Sequence, residues 1–418
     1  MRTAIGIGRD RAVGNLVLLV LLTAAFALVG ERAALAAVGD TPDPSWQTNG
    51  RVSAIAYAGG VVYLGGSFTE VRPPGSPGNG AVSRNRAAAF DAATGELLPW
   101  NPNVNGEVRA LAVAPNQSRV YLGGKFSTVG GQARKNLAAV DPTSGAPQAW
   151  TANAGSVVRS IVVRPDNSWV YIGGLFTQVK GKPRLRVAAL TTTTAAVVAG
   201  FAPSFEQPTV QCPPRCAPAV ATLALTPDGS GLYVGGTFAM ANGQPRNSVA
   251  KVDATTGALL AWDPSVYSPG SVNHVLQLAV LGPRVYVCGD YWAVGGKPSP
   301  NLAAVDPTTG ARDTSWVATT DGGVNACAVS DTTLYIGGHF DKAGGARAKD
   351  TGVVRHHVAA VSTTTAAVEA WDPGADSVPG LYAVGLSANR LGVGGDFTKI
   401  GNNATYLQQG FAQFSGDP

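Results

Sequence analysis

The chain has 418 residues, of which 14% are charged and 45% hydrophobic, with 53 glycines and a formal net charge of +5. No Lys/Arg run stands out, which argues against a nucleic-acid partner, because such partners need a concentrated basic patch. A long amphipathic helical pattern is also missing. Short β-branched runs punctuated by Gly, Pro, Asn and Asp read instead as an all-β protein.

Residues 1–36 read as a targeting segment. Arg2, Arg9 and Arg11 form a basic start, "LVLLVLLTAAFALV" (16–29) an apolar stretch, and Ala34-Leu35-Ala36 a small-residue cleavage site, with cleavage near Ala36. The apolar stretch falls short of the ~20 residues that span a bilayer and ends in Glu31-Arg32. A secreted, extracellular protein without a transmembrane anchor is therefore expected, with residues 37–418 as a single domain. The segment carries four Arg against Asp10 and Glu31, so the remainder is near +3.

From there the chain repeats itself. "YLGGSF" begins at Tyr63, "YLGGKF" at Tyr121, "YIGGLF" at Tyr171, "YVGGTF" at Tyr233, "YVCGDY" at Tyr286, "YIGGHF" at Tyr335 and "GVGGDF" at Gly392. A recurring unit of this length marks a repeat architecture. Each unit holds an apolar run ("VRALAV"), a turn, the Gly-Gly strand, a Gly-rich loop, a third run ("NLAAVD") closed by a turn ("PTSG"), and a fourth segment ("APQAW"). Four short strands per unit predict a blade, and seven units predict a seven-bladed β-propeller of four-stranded blades. Fourth-strand aromatics fall at Trp46, Trp100, Trp150, Phe201, Trp262, Trp316 and Trp371. Because the chain ends on a third strand, "DPSWQTNG" (43–50) is expected to supply the outer strand of the last blade and close the ring.

The repeated residues have physical tasks. Gly-Gly permits close backbone approach, and the aromatics at 68, 126, 176, 238, 291, 340 and 397 fill the core. Turns such as "DPTSG" let Asp accept backbone N–H groups. Arg84, Arg134, Arg184, Arg246 and Arg355 recur before the third strand, which points to a structural salt bridge or carbonyl clamp rather than an anion site. Four cysteines in an exported chain predict two disulfides, Cys212 with Cys216 and Cys288 with Cys327. Metal binding is the alternative for the first pair.

With these units in view, "VYLGGKFSTVGGQARKNLAAVDPTSGAPQAW" resembles the delta-60-repeat β-propellers of exported bacterial proteins over nearly the whole chain after residue 36. That resemblance implies a secreted or surface-exposed propeller without established chemistry. "AVDPTTGARDTSW" (304–316) also resembles the tryptophan-docking motif of pyrroloquinoline-quinone dehydrogenases, but its Trp lies further from the Gly and the adjacent Cys-Cys pair of those enzymes is missing. No cofactor is expected.

Departures from the repeat mark the candidate site, because a residue present in every unit is explained by packing. They concentrate in units five and six: Asp290 and Trp292, then His339, Asp341 and the longer loop "RAKDTGVVRHH" (347–357) with Arg355, His356 and His357. His274 opens the first strand of unit five. Blade topology places the four histidines, His274, His339, His356 and His357, toward one face, where loops on a rigid scaffold carry function. His and carboxylates are proper metal ligands, but Asp290, His339 and Asp396 hold equivalent positions on consecutive sheets that pack about 10 Å apart, too far to share one ion without loop rearrangement. No G-x-S-x-G, H-E-x-x-H or phosphate-cradling loop appears. The expectation is a monomeric, non-catalytic binding module for a protein or glycan. A glycan-active or metal-dependent propeller enzyme and a structural envelope component are the alternatives.

Overall fold

The computed structural model describes residues 38–75, 79–207, 218–269, 273–416 and 418. The expected targeting segment and the expected Cys212–Cys216 bridge lie outside the described residues. Within them the chain is all-β, with one four-residue helix, Ala348–Thr351. Seven three-stranded antiparallel sheets follow one another along the described chain, each in the order first–second–third strand. The first strands are Val52–Ala58, Glu107–Val113, Val158–Val163, Ala219–Leu225, His274–Leu281, Val324–Val329 and Leu381–Ser387. The second strands carry the Gly-Gly motif, and the third run from Ala87–Asp91 in sheet one to Phe411–Ser415 in sheet seven. Between second and third strands each unit adds a small hairpin, such as Thr128–Val129 with Gln132–Ala133.

Second and third strands are buried almost end to end, because neighbouring sheets cover both of their faces. The core accordingly divides into seven clusters among the described residues, each shared by two neighbouring sheets. One joins Ala110 and Trp150 to Ile161 and Ile172, and another joins Phe411 of sheet seven to Val52, Leu64 and Phe90 of sheet one. Each first strand neighbours the first strand of the next sheet, and Leu381–Ser387 neighbours Val52–Ala58.

The first glycine of each pair is where that approach is closest. A Cβ on Gly123 would lie 2.6 Å from Val158 Cγ1 of the next sheet, and Gly65, Gly173 and Gly235 meet Val108, Val220 and Val275 at the same distance. In sheet five Cys288 takes this position, and its side chain is joined to Cys327 of the next first strand, with Cα atoms 6.6 Å apart. The expected Cys288–Cys327 disulfide is thus a cross-link between sheets five and six.

The fourth segment is reduced to a single bridge, as at Val140↔Pro147 or Val361↔Val368. Beyond the bridge the chain turns inward to bury its aromatic. Trp100 stacks edge-on against Tyr63 (centroids 5.1 Å, 72°) and its Nε1 donates to the Asp141 carbonyl of the next sheet at 2.9 Å. Trp150, Trp262 and Trp316 repeat both contacts. The turn aspartates also act as expected: Asp141 Oδ1 accepts the Thr143 and Ser144 N–H groups and the Ser144 hydroxyl.

The N-terminal segment does lie along sheet seven. Asp43 N–H donates to Gln413 O at 2.7 Å, as Leu98 N–H does to Ala89 O in sheet one. Thr48 then pairs with Val71 as Val104 pairs with Val129. Only five positions separate Asp43 from Thr48, against six from Leu98 to Val104. Trp46 therefore does not repeat the Trp100 contacts: Ser45 is buried, while Trp46 stays partly exposed, packs against the cluster shared by sheets seven and one, and donates to Glu96 Oε2 at 3.3 Å. Sheet seven has no Tyr/Trp pair. Its second strand carries Gly392, and Tyr57 of sheet one fills the space above it, a Gly392 Cβ lying 2.6 Å from the Tyr57 hydroxyl.

Each of the seven first strands shifts register once, at a β-bulge. The residues skipped are Ser53, Arg109, Arg159, Ala221, Leu276, Asn325 and Tyr382. Bulges re-aim side chains and are features of a fold rather than defects.

Candidate functional site

The departures in units five and six sort into a groove and an inner cluster. The groove, about 480 Å³ in volume, lies between the hairpin of sheet five and the loop at 346–350 of sheet six. Sheet five contributes Asp290, Trp292 and Asn301, and sheet six contributes Asp321, Arg347, Lys349 and Asp350. The loop forms a wall because unit six runs through residues 344–352 where the hairpins of units two to five turn on two residues ending in Gly. It is pinned from below: buried Thr319 accepts the Ala348 N–H at 3.0 Å and donates to Gly345 O at 3.1 Å.

Trp292 is held by its backbone and free at its ring. Its N–H donates to Tyr267 O at 3.0 Å and lies 3.1 Å from Ser268 Oγ, while the side chain is 50% exposed. Neighbouring Tyr267 is 53% exposed. Trp292 and Tyr267 are the two most exposed aromatic rings among the described residues, and Trp292 stands beside the carboxylates and the Asn301 amide of the groove. Asp321 is less free, since its Oδ1 accepts the Asp341 and Lys342 N–H groups at 2.9 and 2.8 Å.

The histidines occupy structural niches. His274 pairs in register with Asp290, and its Nδ1 lies 3.3 Å from Thr237 Oγ1. His339 Nε2 accepts the Gly323 N–H at 3.3 Å. Gly323 is the reason Asp290 and His339 come closer than the sheet spacing suggests. A Cβ there would lie 2.7 Å from His339 Cε1 and 3.5 Å from Asp290 Cβ, so both side chains flank one bare stretch of backbone.

His356 Nδ1 faces Asp341 Oδ1 at 3.5 Å, an exposed pair. His357 sits at a left-handed position (φ 70°) that recurs as Arg86, Asn136, Arg186, Ser248 and Asn301. Its N–H donates to Phe340 O and its carbonyl accepts the Gly338 N–H, both at 2.9 Å. Its Nδ1 is buried without a partner. Burial holds its pKa below the ordinary 6.5; Asp341 opposes this, while His356 and His339 reinforce it. His357 thus lies near two other imidazoles, yet no group of three His, Cys, Asp or Glu side chains among the described residues is placed to hold a metal ion.

Arg355 is a clamp. Its Nη1 and Nη2 donate to Val354 O (2.8 Å) and Glu369 O (2.7 Å), as Arg134 donates to Ala133 O and Gln148 O. Arg84, Arg184 and Arg246 repeat the arrangement. These guanidiniums tie the fourth segment to the sheet. The wall residues Arg347, Lys349 and Asp350 carried no sequence signal beyond lying in an extended loop.

No protein-family model matches the chain, and no curated protein is similar to it. Among solved structures, the computationally designed Ika8 protein is similar with 14% identity and a TM-score of 0.49, over 90% of this chain and 100% of that one. No helix among the described residues is long and apolar enough to cross a membrane.

Proposed function

We propose that the protein is an exported seven-bladed β-propeller of the delta-60-repeat kind, and that it binds an extracellular glycan without turning it over. The ring reading rests on the cyclic adjacency of the first strands and on the Asp43–Gln413 bond that joins the two ends of the chain. Export rests on the basic and apolar start of the sequence and agrees with a cross-sheet disulfide.

The observation that carries the glycan reading is Trp292, half exposed on the wall of a groove bordered by Asp290, Asn301, Asp350 and Arg347. An aromatic plane offers the C–H face of a sugar an apolar platform, and the surrounding carboxylates and amides accept and donate hydrogen bonds to its hydroxyls. Of the three groove carboxylates Asp321 is committed to two backbone N–H groups, so a hydrolase reading would have to rest on Asp290 and Asp350. Glycoside cleavage requires a pair of carboxylates free to exchange protons and attack.

The test is a glycan array probed with the purified protein, followed by calorimetry with any retained glycan. Trp292→Ala should weaken binding about tenfold or more, as expected for a central aromatic anchor, with an unchanged unfolding midpoint. Retention of no glycan, or equal affinity in Trp292→Ala, would overturn the proposal. Release of a reducing sugar from the bound glycan would replace it with the hydrolase reading.

A further inference from the structure

The groove leaves one concentration of charge unexplained, and it lies where the seven first strands meet. All seven bulge residues line a single cavity of about 250 Å³, with Arg51, Glu107 and Gln277 completing its wall. A second cavity of about 190 Å³ shares Ser53, Arg109, Arg159, Gln277 and Tyr382 with it. The side chains that the register shifts turn out of the sheets therefore converge on a common axis. Every sheet contributes one.

Their charges do not balance. Arg51 is paired with Asp396 at 2.7 Å and lies 4.3 Å over the Tyr382 ring. Arg109 grips Glu107 through Nε at 2.9 Å and Nη2 at 2.7 Å. Arg159 has no hydrogen bond or ion pair among the described residues, and its Nε is buried without a partner. Three guanidiniums thus face two carboxylates. Burial and the nearby Arg109 both disfavour the charge on Arg159, and Glu107 offsets this only in part. A partly buried cation without a partner is costly unless something negative joins it.

We propose that this axial cavity binds a small oxyanion, a carboxylate or phosphate group, with Arg159 as the principal ligand and Arg109 and Ser53 beside it. The planar guanidinium fork matches two oxygens of such a group at once. Ala221 and Leu276 supply an apolar wall for the rest of the molecule. The volume lies below the ~300–1,000 Å³ of sites for drug-sized ligands, which restricts the ligand to a single small molecule. This site is separate from the groove and does not depend on the glycan reading.

The experiment is isothermal calorimetry of the purified protein with sodium acetate, glucuronate and inorganic phosphate, each against sodium chloride at matched ionic strength. At least one oxyanion should bind saturably and raise the unfolding midpoint, while chloride should not. Binding by acetate and glucuronate but not phosphate identifies a carboxylate ligand, and the reverse identifies a phosphate. Arg159→Gln should weaken binding by about tenfold or more, the usual worth of a charge-assisted pair. Lys182→Gln, on an exposed hairpin, should titrate as the unaltered protein. Arg159→Lys keeps the charge but not the fork; it should bind several-fold more weakly, and it answers the same question if the Gln variant does not fold. No saturable binding of any probe, or wild-type affinity in both Arg159 variants, would overturn the proposal.

Discussion

The Asp43 amide donates to the Gln413 carbonyl at 2.7 Å, so the first described segment completes the sheet built by the last. Around it Trp46, Thr48 and Asn49 donate backbone hydrogen bonds to Gly95, Gln409 and Glu70. With a net worth of about 1 kcal/mol each, these four bonds put the cost of deleting residues 38–50 at about 4 kcal/mol or more, since the bonds of Gly39, Asp40 and Gln47 to Trp371, Asp372 and Gln409 are lost with them. The thermal midpoint, followed by circular dichroism, should fall by roughly 5–10 °C. An unchanged midpoint would remove this segment from the closure.

Two tryptophans at matching sequence positions should behave differently. Trp100 is buried, stacked on Tyr63 and bonded to the next sheet, so Trp100→Ala is expected to cost about 3–5 kcal/mol. Trp46 is partly exposed, so Trp46→Ala should cost about 1 kcal/mol or less. Urea titration of the two variants measures the difference.

The Cys288–Cys327 bond closes a loop of 39 residues, for which chain entropy gives about 4 kcal/mol of stabilisation. Replacing both residues by Ser should lose most of that and leave two buried hydroxyls. Cys288→Gly with Cys327→Leu loses the bond too, but restores a pairing found elsewhere, such as Gly65 with Leu111. This second variant should be the more stable of the two, as read by denaturant midpoints. If the Ser pair is equally stable, the Gly–Leu contact contributes nothing there.

His357 predicts a pH dependence. Its folded pKa lies below the ordinary 6.5, so the unfolded chain takes up the proton first. Its contribution is fully present above about pH 6.5 and declines as pH falls toward the folded value. Asn136 and Asn301 hold the same left-handed position and donate Nδ2–H to Ala154 O and Thr320 O, both at 3.0 Å. His357→Asn should therefore fold well and lose the stability step just below pH 6.5. Loss of stability below about pH 4 should remain, because the turn carboxylates, Asp141 among them, are held below their usual range by backbone hydrogen bonds. A step that survives the substitution belongs to another group.

Much of the scaffold was legible in the chain because it is local chemistry written repeatedly. The Asp turns, the Arg clamp and the glycine pair each act within one unit or against its immediate neighbour, so recurrence alone exposes their task. The Cys288–Cys327 pairing was legible by elimination once Cys212 and Cys216 were set together. His339 marks the limit. As the variable letter of "YIGGHF" it looked free for ligand chemistry, and the fold gives it the N–H of Gly323.

By itself, the sequence determined the β character, the seven units and the turns between them, because strand alternation and turn chemistry act over a few residues. Only the tertiary structure decided which side chains meet. A bulge shifts register by one residue, which no alternation pattern records, yet it turns Arg159 from a sheet face toward the common axis. One residue fewer between Asp43 and Thr48 likewise leaves Trp46 partly exposed against its cluster, without the edge-on Tyr contact that Trp100 makes. The groove, too, joins Trp292 to Asp350 across two sheets. Such contacts depend on how sheets pack against one another, and that is set by side chains from neighbouring sheets together rather than by any stretch of the chain.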